Sequence, residues 1–131
     1  MPTFEYAPAP ESRSVVDIKS SYGLFIDGEF VDSRGGTPFK TISPSTEEVL
    51  AEVSEASTDD VDRAVAAART AYRSWSRLSG ADRGKYLFRI ARIMQERARE
   101  FAVLESLDNG KPIKESRDVD VPIAAAHFFY H

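Results

Sequence analysis

Two histidines and one compact polar cluster are the residues of this chain whose types could do chemistry. His127 and His131 are its only histidines, and the four-residue interval puts both on one face of a helix, a spacing that also suits a zinc site. The residues between them are Phe128, Phe129 and Tyr130, so the glutamate of a His-Glu-x-x-His helix is missing and no third ligand stands nearby. A pair packed or exposed at a helix end is the reading the sequence favours. The cluster is Asp108-Asn109-Gly110-Lys111-Pro112. It stops one helix and starts another, since glycine suits the left-handed exit from a helix and proline its first turn. The chain has no cysteine, which removes thiol nucleophiles, thiolate metal ligands and disulfides together. No Gly-x-Ser-x-Gly elbow occurs, and neither Arg34-Gly35-Gly36 nor Gly84 completes a dinucleotide-binding Gly-x-Gly-x-x-Gly. On its own residues the chain lacks a catalytic constellation.

Composition narrows the classes further. The 131 residues are 42% hydrophobic and 29% charged, as expected of one globular unit. Twenty-one acids against 17 bases leave a net charge of -4, the wrong sign for a phosphate-backbone binder. Arg83, Lys85, Arg89, Arg92, Arg97 and Arg99 form a basic run, but Glu96, Glu100 and Glu105 interleave with it and read as a solvated helix surface. Nucleic acid is not an expected partner. The start of the chain lacks the basic-then-apolar pattern of a secretory signal, and no apolar stretch is long enough to span a membrane. A cytoplasmic location is expected.

The elements that would position these residues fall in two halves. Residues 1–21 are rich in Pro, Ala and Ser and are expected to form a flexible arm. In "LFIDGEFVDS", Asp27-Gly28 between β-formers predicts a hairpin of Leu24–Ile26 and Glu29–Val31, because both turn positions need positive φ. Turn residues then separate "FKTIS" from "EVLAEVSEA", giving about four short strands. Three helices follow. The first opens on Ser57 or Thr58 with Asp59, Asp60 and Asp62 near its positive end, and carries Val61, Ala64, Val65, Ala68, Tyr72 and Trp75 on one face. The second is capped by Ser79 and shows one long stripe from Leu87 through Ile90, Met94, Ala98, Phe101 and Leu104 to Leu107. The third starts at Pro112 and is expected to kink or restart after Val121, before Pro122. Its final "HFFYH" would leave aromatic surface uncovered at a helix end, so further polypeptide, covalent or from a partner, is expected against it.

Read together, "LFIDGEFVDS", "TISPSTEEV", "AVAAAR" and "LESLDNGKP" occur in the order and spacing found at the start of NAD(P)-dependent aldehyde dehydrogenases. The chain resembles that family from Tyr22 to His131, and the resemblance implies an α/β, Rossmann-related fold of which residues 22–131 are an incomplete amino-terminal segment: strands and a hairpin, then three helices. It implies an oxidoreductase that turns an aldehyde into a carboxylic acid through a cysteine thiohemiacetal, with NAD or NADP as hydride acceptor and a glutamate activating water. In the family those catalytic groups and most coenzyme contacts lie past the region that matches, so none is transferred to a residue here. The implied partners are the remainder of the polypeptide or a sister subunit, with a homo-oligomer expected. A truncated, non-catalytic relative acting as an interaction module is the alternative. The resemblance also implies a monovalent-cation site at Thr41, Ile42 and Asp108, Ile42 contributing only its carbonyl oxygen. Asp108 could instead cap or pair with backbone near its helix end. Ser43 and Glu47 depart from the family pattern, where Asn and Gly are common.

Overall fold

The computed structural model describes residues 11–131; the first ten residues of the expected arm lie outside the described residues. Strands β1 (Ser21–Tyr22), β2 (Leu24–Ile26), β3 (Glu29–Val31), β4 (Phe39–Ile42) and β5 (Val49–Val53) come first. Helices α1 (Thr58–Trp75), α2 (Gly80–Glu96), α3 (Ala98–Asn109), α4 (Ile113–Glu115) and α5 (Val121–Tyr130) follow. The architecture is α/β, strands before helices, as expected. No helix among the described residues is long and apolar enough to cross a membrane.

The hairpin β2–β3 forms as its turn chemistry dictates. Asp27 and Gly28 take φ values of 54° and 85°, and the two-residue connection pairs Leu24 with Val31, Phe25 with Phe30 and Ile26 with Glu29. That register turns Leu24, Ile26 and Val31 inward. Phe25 and Phe30 share the outer face, their rings edge-to-face at 5.1 Å and 63% and 73% exposed.

A second sheet has the order β1-β5-β4, with β5 parallel to β1 and antiparallel to β4. Five strands therefore stand where about four were expected. The addition, β1, is two residues long and has no alternation for a pattern to reveal. Backbone hydrogen bonds tie it to β5: the amides of Glu52 and Ser54 donate to the carbonyls of Ser20 and Tyr22. Residues 11–20, within the expected arm, include a 3-10 turn at Arg13–Val15 that packs on α3, and Glu11 and Arg13 pair with Arg117 and Glu48.

Two features depart from the helical expectation. The apolar stripe predicted as one helix from Ser79 to Leu107 is broken at Arg97, whose φ of -104° and ψ of 21° separate α2 from α3. No Gly or Pro marks the bend; the helical hydrogen bonds from Arg97 to Ile93 and from Phe101 to Arg97 persist across it, so the hydrophobic period barely registers it. The third helix does restart before Pro122, through a π-helical turn at Ser116–Asp120 in which the Val121 amide reaches the Ser116 carbonyl. Pro122 has no amide to donate and its ring would crowd the Asp118 carbonyl, so the preceding turn widens to make room.

Packing is inverted relative to an ordinary domain. The buried apolar residues are Ala51, Ala91, Ala102, Val103, Val121 and Ala125, all small. The large side chains stay outside: Phe25, Phe30, Tyr72, Tyr86 and Phe88 are more than half exposed, and Tyr130 is 84% exposed. Helices α2 and α5 pack most closely, with the Phe88 and Phe129 rings 4.7 Å apart at the edge of the contact.

Candidate functional site

The expected cation ligands meet where the end of β4 touches the end of α3. Helix α3 stops at Gly110, whose φ of 77° lets its amide return to the Ser106 carbonyl. On the facing strand a register irregularity between Thr41 and Ile42 leaves Leu50 of β5 without an opposite number. The chain then turns tightly through Pro44, Ser45 and Thr46. The Ser43 amide donates to the Glu48 carbonyl at 2.9 Å, the Glu47 amide to the Ser43 carbonyl at 2.8 Å, and Glu47 sits at φ 60°. A glycine at 47 would hold that backbone without strain. Pro44 packs directly on Gly110: a Cβ added to Gly110 would lie 3.2 Å from the proline Cβ.

The Thr41 hydroxyl donates to Asp108 Oδ1, joining residues 67 apart in sequence. Asp108 thus pairs with the side chain of a strand residue far from it in sequence. Ile42, next to Thr41 in the chain, has an apolar, half-exposed side chain with no ligand atom, which leaves the carbonyl as its one oxygen. Ser43 is 1% exposed, and its Oγ has no hydrogen-bond partner among the described residues. Thr41 and Asp108 thus set a hydroxyl and a carboxylate side by side, an oxygen pair of the kind a hard cation takes. Lys111 does not neutralise it. Its ammonium is drawn to Asp120 at 2.6 Å and Glu105 at 3.9 Å, and the Asp120 contact holds its pKa above the ordinary lysine value. His127 and His131 share a turn at the end of α5, the His131 amide donating to the His127 carbonyl. Among the described residues no group of three His, Asp or Glu gathers around them or elsewhere.

The strongest polar node was not visible in the sequence. Asp60 is buried and accepts hydrogen bonds from the Ser33 hydroxyl at 2.7 Å, the Ser57 hydroxyl at 2.8 Å, the Ser57 amide at 3.0 Å and the Arg34 amide at 3.1 Å. Arg63 pairs with its other oxygen at 3.1 Å. These donors, the Ser33 hydroxyl foremost, hold the carboxyl far below the usual carboxylate range. The Ser57-x-x-Asp60 spacing signals a capping box, but the link to Ser33 and Arg34, 26 to 27 residues away, has no local signature. The loop closes tightly there, for a Cβ on Gly36 would fall 1.8 Å from the Glu55 carbonyl oxygen. Asp82 does the same service at α2, held by Lys85 and Ser79 below its ordinary pKa. Capping contacts with carboxylates therefore already occupy the amino termini of both long helices, leaving neither open to a phosphate group. With no glycine-rich strand-to-helix turn, these residues do not fit a nicotinamide dinucleotide.

A model of the aldehyde dehydrogenase family matches residues 30–131. The chain belongs to this family. Aldehyde dehydrogenase 1 of Tanacetum cinerariifolium is 50% identical to it over 109 residues, which are 82% of this chain and 22% of the relative. Among solved structures, PnpE in complex with nicotinamide adenine dinucleotide, from Pseudomonas sp. WBC-3, is 43% identical with a TM-score of 0.80, over 83% of this chain and 22% of PnpE. The NAD-dependent aldehyde dehydrogenase of Sinorhizobium meliloti is 38% identical with a TM-score of 0.80, over 95% of this chain and 25% of that one. This aldehyde dehydrogenase chain thus spans between a fifth and a quarter of the length of these three relatives, and corresponds to the amino-terminal portion of the family fold.

Proposed function

We propose that this chain is the amino-terminal framework of an enzyme that oxidises an aldehyde to a carboxylic acid with NAD or NADP. The observation that carries the reading is the family match over residues 30–131, backed by a strand-and-helix framework superposable on NAD-dependent relatives. Within the complete enzyme the framework positions surfaces and does no bond-making. It contains no cysteine, so the thiolate that attacks the aldehyde comes from outside it. The nicotinamide coenzyme likewise finds its cradle on residues other than those described. Residues 22–131 form an incomplete segment of the coenzyme-binding domain, and its partners are the remainder of the polypeptide and, in a cytoplasmic homo-oligomer, a sister subunit. The corner of Thr41, Ile42 and Asp108 holds a monovalent cation that ties β4 to α3. The test is enzymatic: the chain alone shows no NAD-dependent aldehyde oxidation, whereas a fusion carrying it in place of the matching segment of the Sinorhizobium meliloti enzyme does. An inactive, well-folded fusion would argue for a non-catalytic interaction module instead.

A further inference from the structure

We infer that Asn109-Gly110 is a self-modifying site, at which backbone-assisted deamidation is held latent by the cap of α3. Asn109 is the chain's only asparagine, and both it and Gly110 are exposed. Because glycine follows, no Cβ obstructs the approach of the next backbone nitrogen to the carboxamide carbon. Water is the only co-reactant. Once the Gly110 nitrogen gives its proton to water, it bonds to Asn109 Cγ, the Cγ–Nδ2 bond breaks, and the carboxamide nitrogen takes up a proton and leaves as ammonia. Water then opens the five-membered imide at one or other carbonyl, leaving aspartate or isoaspartate, and nothing is oxidised or reduced.

The cap withholds the attacking nitrogen. Its N–H donates to the Ser106 carbonyl at 3.0 Å, and the proton loss that the reaction needs is the same step that hydrogen exchange reads, which a bonded amide undergoes only when its local structure opens. Helix ends fray first, so the resistance to opening must come from elsewhere. Here it comes from the far side of the fold. Gly110 lies against Pro44, whose Cβ and Cγ would stand 3.2 and 3.3 Å from an added Cβ, and the Thr41 hydroxyl donates to Asp108 one residue before the site. Deamidation at residue 109 therefore reads whether the turn after β4 is seated on the end of α3. The change runs one way: isoaspartate puts an extra methylene into the backbone of the cap, and both products place a second carboxylate beside Asp108, where the helix dipole disfavours negative charge.

Incubation of the full chain, folded or in urea, with isomer-resolving mass spectrometry of the peptide that holds residue 109, tests the idea. The folded chain is expected to convert roughly tenfold or more slowly than the chain in urea, with isoaspartate among the products of both. Thr41→Val should speed conversion of the folded chain several-fold and change nothing in urea; Pro44→Ala gives the same reading should circular dichroism show that Thr41→Val does not fold. Isoaspartate at Asp27-Gly28, formed by the same ring closure with loss of water, is the internal reference and is unmoved by either substitution. With no substitution at all, conversion should rise in step with hydrogen exchange at the Gly110 amide as urea is added. Equal rates in folded and unfolded chain, aspartate without isoaspartate, or a folded-state rate that ignores both substitutions and the exchange of the Gly110 amide would each overturn the inference.

Discussion

One methyl group added at either of two glycines should move stability in opposite directions. Gly110 sits at φ 77°, a region that costs an L-residue about 1–2 kcal/mol, and the new Cβ would press on Pro44 at 3.2–3.3 Å. Reduced freedom of the unfolded chain returns about 0.4–1 kcal/mol. The Pro44 contact must also relax by a few tenths of an ångström, so Gly110→Ala is expected to destabilise by about 1–2 kcal/mol. Gly84 lies inside α2, and apart from its own helix backbone no described atom comes within 4 Å of its added Cβ, so alanine there should stabilise by about 0.8–1 kcal/mol. The two variants should therefore differ by about 2–3 kcal/mol although their chemistry is identical. Urea unfolding followed by circular dichroism at 222 nm, at several protein concentrations to expose self-association, reads the difference. Hydrogen exchange at the residue-110 amide, bonded to the Ser106 carbonyl, localises it. Equal shifts of both variants, or a neutral Gly110→Ala, would refute the left-handed cap and its seat on Pro44.

Ser43→Ala removes a buried hydroxyl that has no partner among the described residues, so the urea midpoint should stay the same or rise, by up to about 1 kcal/mol in stability; a clear loss would reveal a bond to Oγ. Asp60→Asn should destabilise the chain at neutral pH. Because the folded-state pKa of Asp60 is depressed, its contribution is complete above the unfolded value of about 3.9 and fades as pH falls below it, so the gap between variant and parent should narrow on acidification; a gap constant down to pH 2 would contradict this. If the oxygen corner binds a monovalent cation with a Kd of roughly 10 mM, 100 mM Na+ or K+ in place of tetramethylammonium should add about 1.4 kcal/mol, and Asp108→Asn should abolish that increment; an unchanged increment would remove Asp108 from the site.

Local chemistry was legible in the chain, and long-range geometry was not. Asp27-Gly28 specified its hairpin, Ser57 and Ser79 their helix starts and Gly110 a helix stop, because each acts through neighbours a few residues away. Strand β1 exists only because Ser21 and Tyr22 find Glu52 and Val53, and two residues carry no period. The bend at Arg97 leaves no mark in the sequence because one residue outside helical geometry keeps the apolar stripe almost in phase. Pro122 announced a break; that the break takes the form of a π turn depends on which carbonyl the Val121 amide can reach. At the candidate site, Thr41 and Asp108 were paired by resemblance to a family, since no spacing in the chain connects them, and the role of Asp60 as a tie to Ser33 appeared only in three dimensions.

An interior of alanines beneath a skin of phenylalanines has a consequence for birth on the ribosome. In a family enzyme this portion emerges first, and at about 5–20 residues per second the rest takes on the order of tens of seconds to follow. Throughout that wait its exposed aromatic surface is open to chaperones and to sibling nascent chains.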